Sequence, residues 1–369
     1  MMNDDTPGAA NAHNELGALR ARIDAIDDTL LKLLSERAGI AQAVGHTKKG
    51  EKIYRPEREA QIVRRLREAN PGPLSAETVE RLIREVMSAC RALEERTRVA
   101  YLGPAGTFSQ QAVGKHFGQD IDALAEADID ACFHAVETGR AEFAVVPVEN
   151  STEGAVGRTL DLVVSSPLRI CGEVILPIQQ MLMRKTAQRE GIARVYGHAQ
   201  SLAQCQHWLS QHLPHVERVA VVSNAEGARR AAGEADAATL GAEAAADLYG
   251  LAVVDRAVQD EAGNTTRFLV LARTDAQPSG RDRTSLVMGA KNQPGAVVKL
   301  LQPLADAGIS MSRLESRPAR GDTTGAGWAY LFFVVCEGHR QDTRLAAALA
   351  EIESRAAFLK ILGSYPAAS

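Results

Sequence analysis

The stretch from Leu16 to about Lys49 constrains the fold most, because it contains no proline and its apolar residues recur at helical spacing. We predict one helix of about 30 residues, roughly 45 Å long. A second helix is predicted from near Pro56 to just before Asn70, and a third from Ser75 to about Arg96. Helices this long have too small a core to fold alone, so they must pack as a bundle or as dimerisation arms. The apolar positions of the first helix are Leu19, Ile23, Ile26, Leu30, Leu33, Leu34 and Val44.

Basic residues on these helices suggest an anion site, although solvated charges on a helical bundle are the simpler alternative. Arg37 and Lys48 are close to three helical turns apart, so they share one face. Arg20 lies about 25 Å further along the axis and on another side of the helix. If Arg20 serves the same small anion, it must come from a second chain. Arg58 and Glu59 would then face the anion from the second helix.

The composition is that of an ordinary globular protein, with 45% hydrophobic residues, 24% charged residues and a net charge of −4. This balance gives no indication of a nucleic-acid partner or of an anionic membrane. Five cysteines lie far apart and form no CxxC pair, which argues against a disulfide framework and a zinc site. A reducing cytoplasm fits this pattern. No signal-peptide core or membrane-spanning run is present, and the length suggests two or three domains.

From Arg98 to about residue 273, short apolar runs alternate with helical runs, which predicts parallel or mixed sheets covered by helices. The first unit is the strand Val99–Leu102 with the turn Gly103–Ser109. This turn presents backbone N–H groups to an anion, although a tight turn with a hydroxyl helix cap is the simpler explanation. The chain is predicted to cross into a second lobe at residues 177–183 and to return through Asn264. Polar loops then meet in a cleft between the lobes. Further helices are predicted at residues 129–137 and 159–164, and further strands at residues 144–148, 170–176, 195–198, 218–222, 237–241 and 251–254.

The last part of the chain follows a polar linker at about residues 274–283. Its predicted elements come in the order strand, helix, strand, strand, helix, strand, which is the ferredoxin-like arrangement. The glycine-rich insertion Gly321–Gly327 is predicted to be mobile. The predicted strands are Thr284–Met288, Ile309–Glu315, Tyr330–Cys336 and Phe358–Leu362, and the predicted helices begin at Pro294 and at Asp342.

The helical part, about residues 14–97, resembles the all-helical chorismate mutase domain. The resemblance rests on Leu19-Arg20, Glu36-Arg37, Lys48, the run Ile53–Glu59 and the run Met87–Glu94. It implies an entwined dimer in which Arg20 crosses into the partner's site. It also implies that three arginines bind the carboxylates of chorismate, that Lys48 contacts the ether oxygen and that Glu59 takes the hydroxyl. The three arginines are Arg20, Arg37 and Arg58.

Residues of about 98–273 resemble prephenate dehydratase through three motifs in the same order: Gly103–Ser109, Val146–Ser151 and Thr265–Phe268. The resemblance implies two lobes like those of a periplasmic binding protein. Lobe 1 would comprise about residues 98–177 and 260–273, and lobe 2 about residues 178–259. The active site would then lie in the cleft between them.

The same resemblance implies roles for single residues. Thr266 would donate a proton or a hydrogen bond to the leaving hydroxyl of prephenate, and because threonine is a weak acid we favour the hydrogen bond. Asn150 and Gln204 would support activity. Arg267 would either bind a carboxylate or be structural. His198 is more often a structural hydrogen-bonder than an acid, and the chemistry needs no nucleophile from Cys205. Thr107 and Ser151 would contact substrate.

Residues 284–369 resemble the ACT domain that accompanies prephenate dehydratase, through Asn292–Val298 and Leu314–Pro318. The resemblance implies phenylalanine binding between paired ACT domains, whereas a purely structural dimerisation module is the alternative. The residues implied in phenylalanine binding are Gly295, Ala296, Val297, Glu315, Ser316 and Arg317.

The resemblances together predict a multidomain chain: all-α mutase helices, a two-lobed α/β dehydratase, and an α+β ferredoxin-like ACT domain. Such a chain would convert chorismate to prephenate and then to phenylpyruvate in phenylalanine biosynthesis, under feedback inhibition by phenylalanine. We predict a cytoplasmic homodimer or higher oligomer that needs no metal or other cofactor. Arogenate dehydratase activity, or a phenylalanine sensor with inactive lobes, are the alternatives.

Glu94 departs from the mutase pattern, because many members of that family carry glutamine there. A carboxylate would repel the negative charge that grows on the ether oxygen, whereas a carboxylic acid donates a hydrogen bond to it. We therefore predict that the mutase rate falls as the pH rises, and that Glu94→Gln flattens this profile. Steady-state mutase assays from acid to mildly alkaline pH measure both. A flat wild-type profile would contradict the prediction.

Overall fold

The computed structural model describes residues 7–47, 54–290, 293–318 and 330–368. Three helices come first: α1 (Pro7–Thr47), α2 (Pro56–Glu68) and α3 (Ala76–Ala92). Helix α1 begins earlier than predicted, and α3 ends before the predicted Arg96. Ser75 caps α3 as predicted, since its hydroxyl accepts the Thr78 N–H at 3.2 Å. Lys48 and the insertion at 321–327 lie outside the described residues.

Helix α1 exposes the apolar stripe that predicted it. Among its large apolar side chains, exposure runs from 42% at Leu34 to 65% at Leu31. A row of this size is stable in water only when another surface covers it. The exposed residues are Leu16, Leu19, Ile23, Ile26, Leu30, Leu31, Leu33, Leu34, Ile40 and Val44.

The next segment, lobe 1, alternates strands and helices up to Pro177. The predicted helix at residues 129–137 is confirmed, whereas the short strands β2 and β4 are not predicted by the sequence. Strand β2 is half exposed and reads Asp-Ala-Leu-Ala-Glu, so it carries neither a β-branched residue nor an apolar run. The elements are β1 (Arg98–Leu102), α4 (Phe108–Phe117), β2 (Asp122–Glu126), α5 (Ile129–Glu137), β3 (Phe143–Asn150), β4 (Gly154–Ala155), α6 (Gly157–Ser165) and β5 (Arg169–Pro177).

Lobe 2 follows, and its five strands form a separate sheet in the order β10-β6-β9-β7-β8. The crossing into this lobe between Pro177 and Met181 agrees with the prediction. Ser223 caps α9 by accepting the Glu226 N–H at 3.1 Å. The elements are β6 (Met181–Arg184), β7 (Arg194–His198), α7 (Ala199–Gln204), α8 (Gln206–His212), β8 (Glu217–Val221), α9 (Asn224–Gly233), β9 (Ala237–Gly241), α10 (Ala244–Tyr249) and β10 (Ala252–Asp255).

The chain then returns to lobe 1 as strand β11 (Thr265–Ala272), which completes a sheet in the order β2-β1-β3-β11-β5, with β4 beside β3. Strand β1 is parallel to β2 and β3, whereas β11 is antiparallel to both β3 and β5. The predicted mixed sheet is thus confirmed. Because β11 lies between β3 and β5 but follows lobe 2 in the sequence, the lobe 1 sheet includes residues from both sides of lobe 2.

The C-terminal domain is an antiparallel sheet in the order β13-β14-β12-β15 with two helices, which confirms the ferredoxin-like prediction. The predicted polar linker is not a free tether. Ala276 within it is buried, and its carbonyl accepts a hydrogen bond from His339 at 3.2 Å. The elements are β12 (Asp282–Gly289), α11 (Ala296–Asp306), β13 (Met311–Pro318), β14 (Tyr330–Glu337), α12 (Thr343–Arg355) and β15 (Phe358–Pro366).

This domain shares a hydrophobic core with lobe 1. Phe333 and Leu362 belong to the same buried cluster as Val146 and Leu269 of the lobe 1 sheet. A side chain at Gly363 of β15 would collide with the backbone of Ile170 on β5. The strands β15 and β5 therefore approach too closely for any residue but glycine. The C-terminal domain is therefore docked on lobe 1 rather than tethered to it.

Tyr54, just before α2, packs against lobe 1 and so connects the N-terminal helices to it. Its ring lies 4.9 Å from Phe117 and 5.1 Å from Phe143, and its hydroxyl is 2.8 Å from Nε2 of His116. The Arg91 guanidinium lies 5.0 Å from the centre of the Tyr54 ring. Burial lowers the pKa of His116 from 6.5 to about 3 and raises the pKa of Tyr54. His116 is thus neutral in the folded protein at neutral pH.

No helix among the described residues is long and apolar enough to cross a membrane.

The depressed pKa of His116 predicts a loss of stability in acid. The unfolded chain takes up a proton at His116 below about pH 6.5 and the folded chain does not, so this contribution is complete above pH 6.5 and is lost as the pH falls towards 3. One such group changes the free energy of unfolding by at most about 1.4 kcal/mol per pH unit. His116→Gln keeps an acceptor for Tyr54 without titrating, and should show a shallower fall. Urea unfolding between pH 7.5 and pH 5 measures the two slopes, and equal slopes would refute the assignment.

Candidate active sites

The first site lies along the seam between α1 and α3. Arg37 Nη1 donates to Cys90 Sγ at 2.9 Å, which places this guanidinium between the two helices. Further along α1, a methyl group at Gly45 would overlap the carboxylate of Glu94. The structure therefore places Arg37 and Glu94 on one seam, and their shared contact with chorismate stays a prediction.

Other predicted residues of this site are not assembled within a single chain. Arg20 and Arg58 are exposed. Glu59 is buried, and its carboxylate is paired with Arg91, which also donates to the carbonyl of Phe117 at 2.6 Å. This carboxylate neutralises a buried arginine that faces lobe 1. The contact of Glu59 with the substrate hydroxyl stays a prediction.

The second site is a cavity of about 320 Å³ between the two lobes. Four predicted residues line it together: Thr107, Asn150, Gln204 and Thr266. Further lining residues, which the sequence did not single out as site residues, come from lobe 2. They are Gln180, Gln200, Ser201, Val222, Ser223 and Asn224. The local sequence signal that could have identified Gln180 as a site residue is the pair Gln179-Gln180. Two adjacent polar residues are unusual between two buried strands.

Thr266 and Asn150 form the centre of the lobe 1 wall. They lie directly opposite each other on β11 and β3. Asn150 Nδ2 donates to Thr266 Oγ1 at 2.9 Å and to Asn264 Oδ1 at 2.8 Å. Because Thr266 Oγ1 accepts this hydrogen bond, its own hydrogen is left to donate into the cavity.

A turn after β3 fixes the orientation of the Asn150 amide. Its Oδ1 accepts from the backbone N–H of Thr152 at 3.0 Å and of Glu153 at 3.1 Å. The amide nitrogen must therefore point towards Thr266. Ser151 lies beside the cavity rather than in its lining, and its hydroxyl accepts the Thr265 N–H at 2.9 Å. Its predicted contact with substrate is thus replaced by a role in holding the strand end.

The cavity lining carries no lysine, arginine, aspartate or glutamate among the described residues. The first turns of α4 and α9 face it instead, so their unpaired backbone N–H groups supply partial positive charge. The simpler explanation of this turn, a hydroxyl helix cap, does not hold at Thr107, whose hydroxyl donates to the Pro104 carbonyl at 3.0 Å. His198 caps α7 by accepting the Gln200 N–H at 3.4 Å, which fits the structural alternative. Burial raises the pKa of the Cys205 thiol to about 12, so it is no nucleophile.

Arg267 points away from this cavity. Side chains alternate along a strand, so the residue after Thr266 faces the other side of the sheet. There Arg267 Nη1 lies 3.5 Å from Glu173 Oε2, at the seam with the C-terminal domain. The carboxylate-binding prediction for Arg267 is corrected, and the structural alternative holds.

The C-terminal residues predicted to bind phenylalanine separate into two groups. Gly295, with φ of 71°, precedes α11, and the neighbouring Ala296 and Val297 form its first turn. On β13, Arg317 donates to the Gly157 carbonyl at 2.5 Å and lies 3.4 Å from Asp161, both on lobe 1. Glu315 faces the same seam, whereas Ser316 is exposed on the other side. Within one chain, Glu315 and Arg317 thus lie at the lobe 1 seam, and their contact with phenylalanine stays a prediction.

Three family profiles match consecutive parts of the chain. Chorismate mutase type II matches residues 19–95, prephenate dehydratase matches residues 99–276, and the ACT domain matches residues 284–354. These matches follow the order of the helices, the two-lobed region and the ferredoxin-like domain.

Curated relatives carry the same arrangement over their whole length. A bifunctional chorismate mutase/prephenate dehydratase of Neisseria gonorrhoeae is 51% identical over 353 residues, which is 95% of this chain and 96% of the relative. Its namesake from Pseudomonas aeruginosa is 46% identical and covers 96% of this chain and 98% of the relative. The Escherichia coli protein of that name is 34% identical, with 96% and 97% covered.

Solved structures match the part after the N-terminal helices. A prephenate dehydratase of Arthrobacter aurescens in complex with L-Phe has a TM-score of 0.66 and 33% identity, and covers 73% of this chain and 90% of its own. A protein described as a novel type of quorum-quenching acylase also has a TM-score of 0.66, at 30% identity, covering 73% and 98%. The shared fold therefore does not fix the reaction, and the residues of the cleft must do so.

Proposed function

The chain belongs to the family of bifunctional chorismate mutase/prephenate dehydratases with an ACT domain, and on that basis we propose how its residues divide the work. Residues 14–97 rearrange chorismate to prephenate. Residues 98–273 convert prephenate to phenylpyruvate, and residues 284–369 bind phenylalanine as a feedback signal. The observation that carries the proposal is the hydrogen bond of 2.9 Å from Asn150 to Thr266 in the cleft.

In the dehydratase site, Thr266 hydrogen-bonds the departing ring hydroxyl. As the bond from the ring to the carboxylate breaks, its electrons enter the ring, and the bond to the hydroxyl breaks on the other side. The products are carbon dioxide, water and phenylpyruvate, once the leaving oxygen has taken up a proton. Asn150 orients Thr266 so that its hydrogen meets the oxygen on which negative charge grows.

The carboxylates of prephenate are held by partial charges. The first turns of α4 and α9 and the amides of Gln180, Gln204 and Asn224 surround the cavity. A full cation beside the ring carboxylate would stabilise the ground state, in which that group still carries its charge. Neutral donors avoid this penalty, because the charge leaves the carboxylate in the transition state.

The mutase site needs full cations rather than neutral donors, since chorismate remains a dianion throughout its rearrangement. Arg20, Arg37, Arg58 and Lys48 bind the dianion, and Glu94 donates to the ether oxygen. Glu59 is proposed to take the substrate hydroxyl from its position beside Arg91. The exposed apolar stripe of α1 supports an entwined dimer in which Arg20 comes from the partner.

Phenylalanine is proposed to bind beside Gly295–Val297, because the N-terminus of α11 favours a carboxylate. Strand β13 is the edge of its sheet and exposes Met311, Leu314 and Ser316, which supports side-by-side pairing of two ACT domains. The Arthrobacter aurescens complex with L-Phe is consistent with this ligand. Arogenate as substrate remains the nearest alternative chemistry, and an inactive phenylalanine sensor is disfavoured by the intact Thr266–Asn150 pair.

Thr266→Ala should lower the dehydratase kcat by roughly 10²–10³-fold, the usual loss when one donor to a developing oxyanion is removed. Mutase activity should stay unchanged, so chorismate should accumulate as prephenate. Thr266→Ser, which keeps the hydroxyl, should recover much of the rate. Thr265→Ala on the opposite face is the matched control. Near-wild-type formation of phenylpyruvate by Thr266→Ala would refute the assignment.

Shared mutase sites can be tested by mixing two inactive variants, Arg20→Ala and Arg58→Ala. After random exchange of subunits, each mixed dimer has one intact site, so the mixture should recover about one quarter of wild-type mutase activity. Each variant alone should stay inactive after the same unfolding and refolding. No recovery, with mixed dimers demonstrated by differently tagged chains, would place Arg20 in the site of its own chain.

A further inference from the structure

The seam between lobe 1 and the ACT domain contains a buried ion cluster centred on Glu173 of β5. The Glu173 side chain is 0% exposed and binds two guanidinium groups: Arg267 of β11 at 3.5 Å and Arg283 of β12 at 2.6 Å. It also accepts the backbone N–H of Ala368 at 3.2 Å. One carboxylate therefore joins the dehydratase strand that carries Thr266 to the first strand of the ACT sheet.

A second ionic contact crosses the same seam. Arg313 of β13 is paired with Glu149 of β3. Glu149 lies directly opposite Arg267 in the ladder between β3 and β11, just as Asn150 lies opposite Thr266. Arg283 thus connects through Glu173 to Arg267, which is the neighbour of Thr266 in the sequence. Arg313 connects to Glu149, which is the neighbour of Asn150.

The pairing of β3 with β11 connects the seam side chains to the cleft side chains through the same backbone. On β3 and β11 the cleft pair faces one side and the seam pair faces the other, so a shift of the seam side chains moves the same two peptide segments. The pairing of β3 with β11 changes register between Arg267 and Phe268. A bulge at this place lets the strand ends move relative to each other without disrupting the rest of the sheet.

The burial of Glu173 makes the loss of either guanidinium partner costly. A buried carboxylate that loses one of its partners must draw the other closer, because an uncompensated buried charge is costly. Displacement of Arg283 would therefore reorient Arg267, and with it the backbone on either side of Thr266.

We propose that the Arg283–Glu173–Arg267 cluster, with Arg313–Glu149, transmits phenylalanine binding from the ACT domain to the Thr266–Asn150 pair. The inference rests on the proposed function, in which phenylalanine binds the ACT domain. In one arrangement the seam holds β3 and β11 so that Asn150 orients Thr266. In the other, favoured by phenylalanine, the strand ends shift and this hydrogen bond is lost.

The chain offers a matched control at the same seam. Lys360 of β15 donates to the carbonyls of Val163, Val164 and Ser166 at 3.0, 2.7 and 2.6 Å. These contacts end on α6 and the residue after it rather than on the strands of the cleft. Removing the Lys360 charge weakens docking of the ACT domain without touching the proposed route.

The test compares Arg283→Gln, Arg313→Gln and Lys360→Gln in the full-length chain. Phenylalanine binding is measured by calorimetry, and its inhibition of phenylpyruvate formation by steady-state assay. For both arginine variants, binding should persist while the concentration for half-inhibition rises about tenfold or more, the size of an ordinary allosteric coupling. Arg283→Lys should restore part of the inhibition. Lys360→Gln should be inhibited like the wild type.

The outcomes separate the inference from the function on which it rests. Wild-type inhibition in both arginine variants would overturn the proposed route, and so would an equal loss in Lys360→Gln. If phenylalanine does not bind the wild-type chain, the proposed function of the ACT domain fails, and the route fails with it. Should Arg283→Gln not fold, Arg313→Gln decides, because its guanidinium is partly exposed and its loss leaves the Glu173 cluster intact.

Discussion

The alternation of side chains along β11 is the constraint on which the rest of the structure depends. This strand returns from lobe 2 and fills the place between β3 and β5. Thr266 then faces the cleft and Arg267 faces the ACT domain, only because neighbouring residues of a strand point to opposite sides. One strand therefore closes the lobe, carries the threonine that we propose hydrogen-bonds the leaving hydroxyl, and contacts the ACT domain.

The two proposed active sites answer different electrostatic problems. The mutase keeps a dianion intact while charge shifts within it, and cationic side chains suit that task. The dehydratase expels a carboxylate as carbon dioxide, and its cavity lining offers amides, hydroxyls and helix N-termini instead of cations. Between the helices and lobe 1, Arg91 is neutralised by Glu59 and packed on Tyr54.

Much of the fold was accessible from the sequence, because its elements carry clear local signals. Helix α5, the Ser75 cap and the order of the ACT elements all follow from periodicity and capping. Strand β2 was missed because its neighbours, rather than its own side chains, make it a strand. The docking of the ACT domain was missed too, since the close approach at Gly363 depends on two surfaces that are distant in sequence.

The candidate cleft was predicted in part. Thr107, Asn150, Gln204 and Thr266 do meet around one cavity, whereas Gln180 on a loop and Asn224 at the start of α9 have positions that only the folded lobes define. Strand alternation alone places Arg267 on the face opposite to Thr266, so its position is predictable from the sequence. The pairing of Glu59 with Arg91 is not, since Arg91 is on another helix.

The central claim is that one chain carries chorismate to phenylpyruvate and senses phenylalanine in the same molecule. The most direct measurement supplies purified protein with chorismate alone and follows chorismate, prephenate and phenylpyruvate over time, with and without phenylalanine. The account predicts that chorismate disappears, that phenylpyruvate forms, and that phenylalanine suppresses the second step. Accumulation of prephenate without phenylpyruvate, or a second step indifferent to phenylalanine, would contradict it.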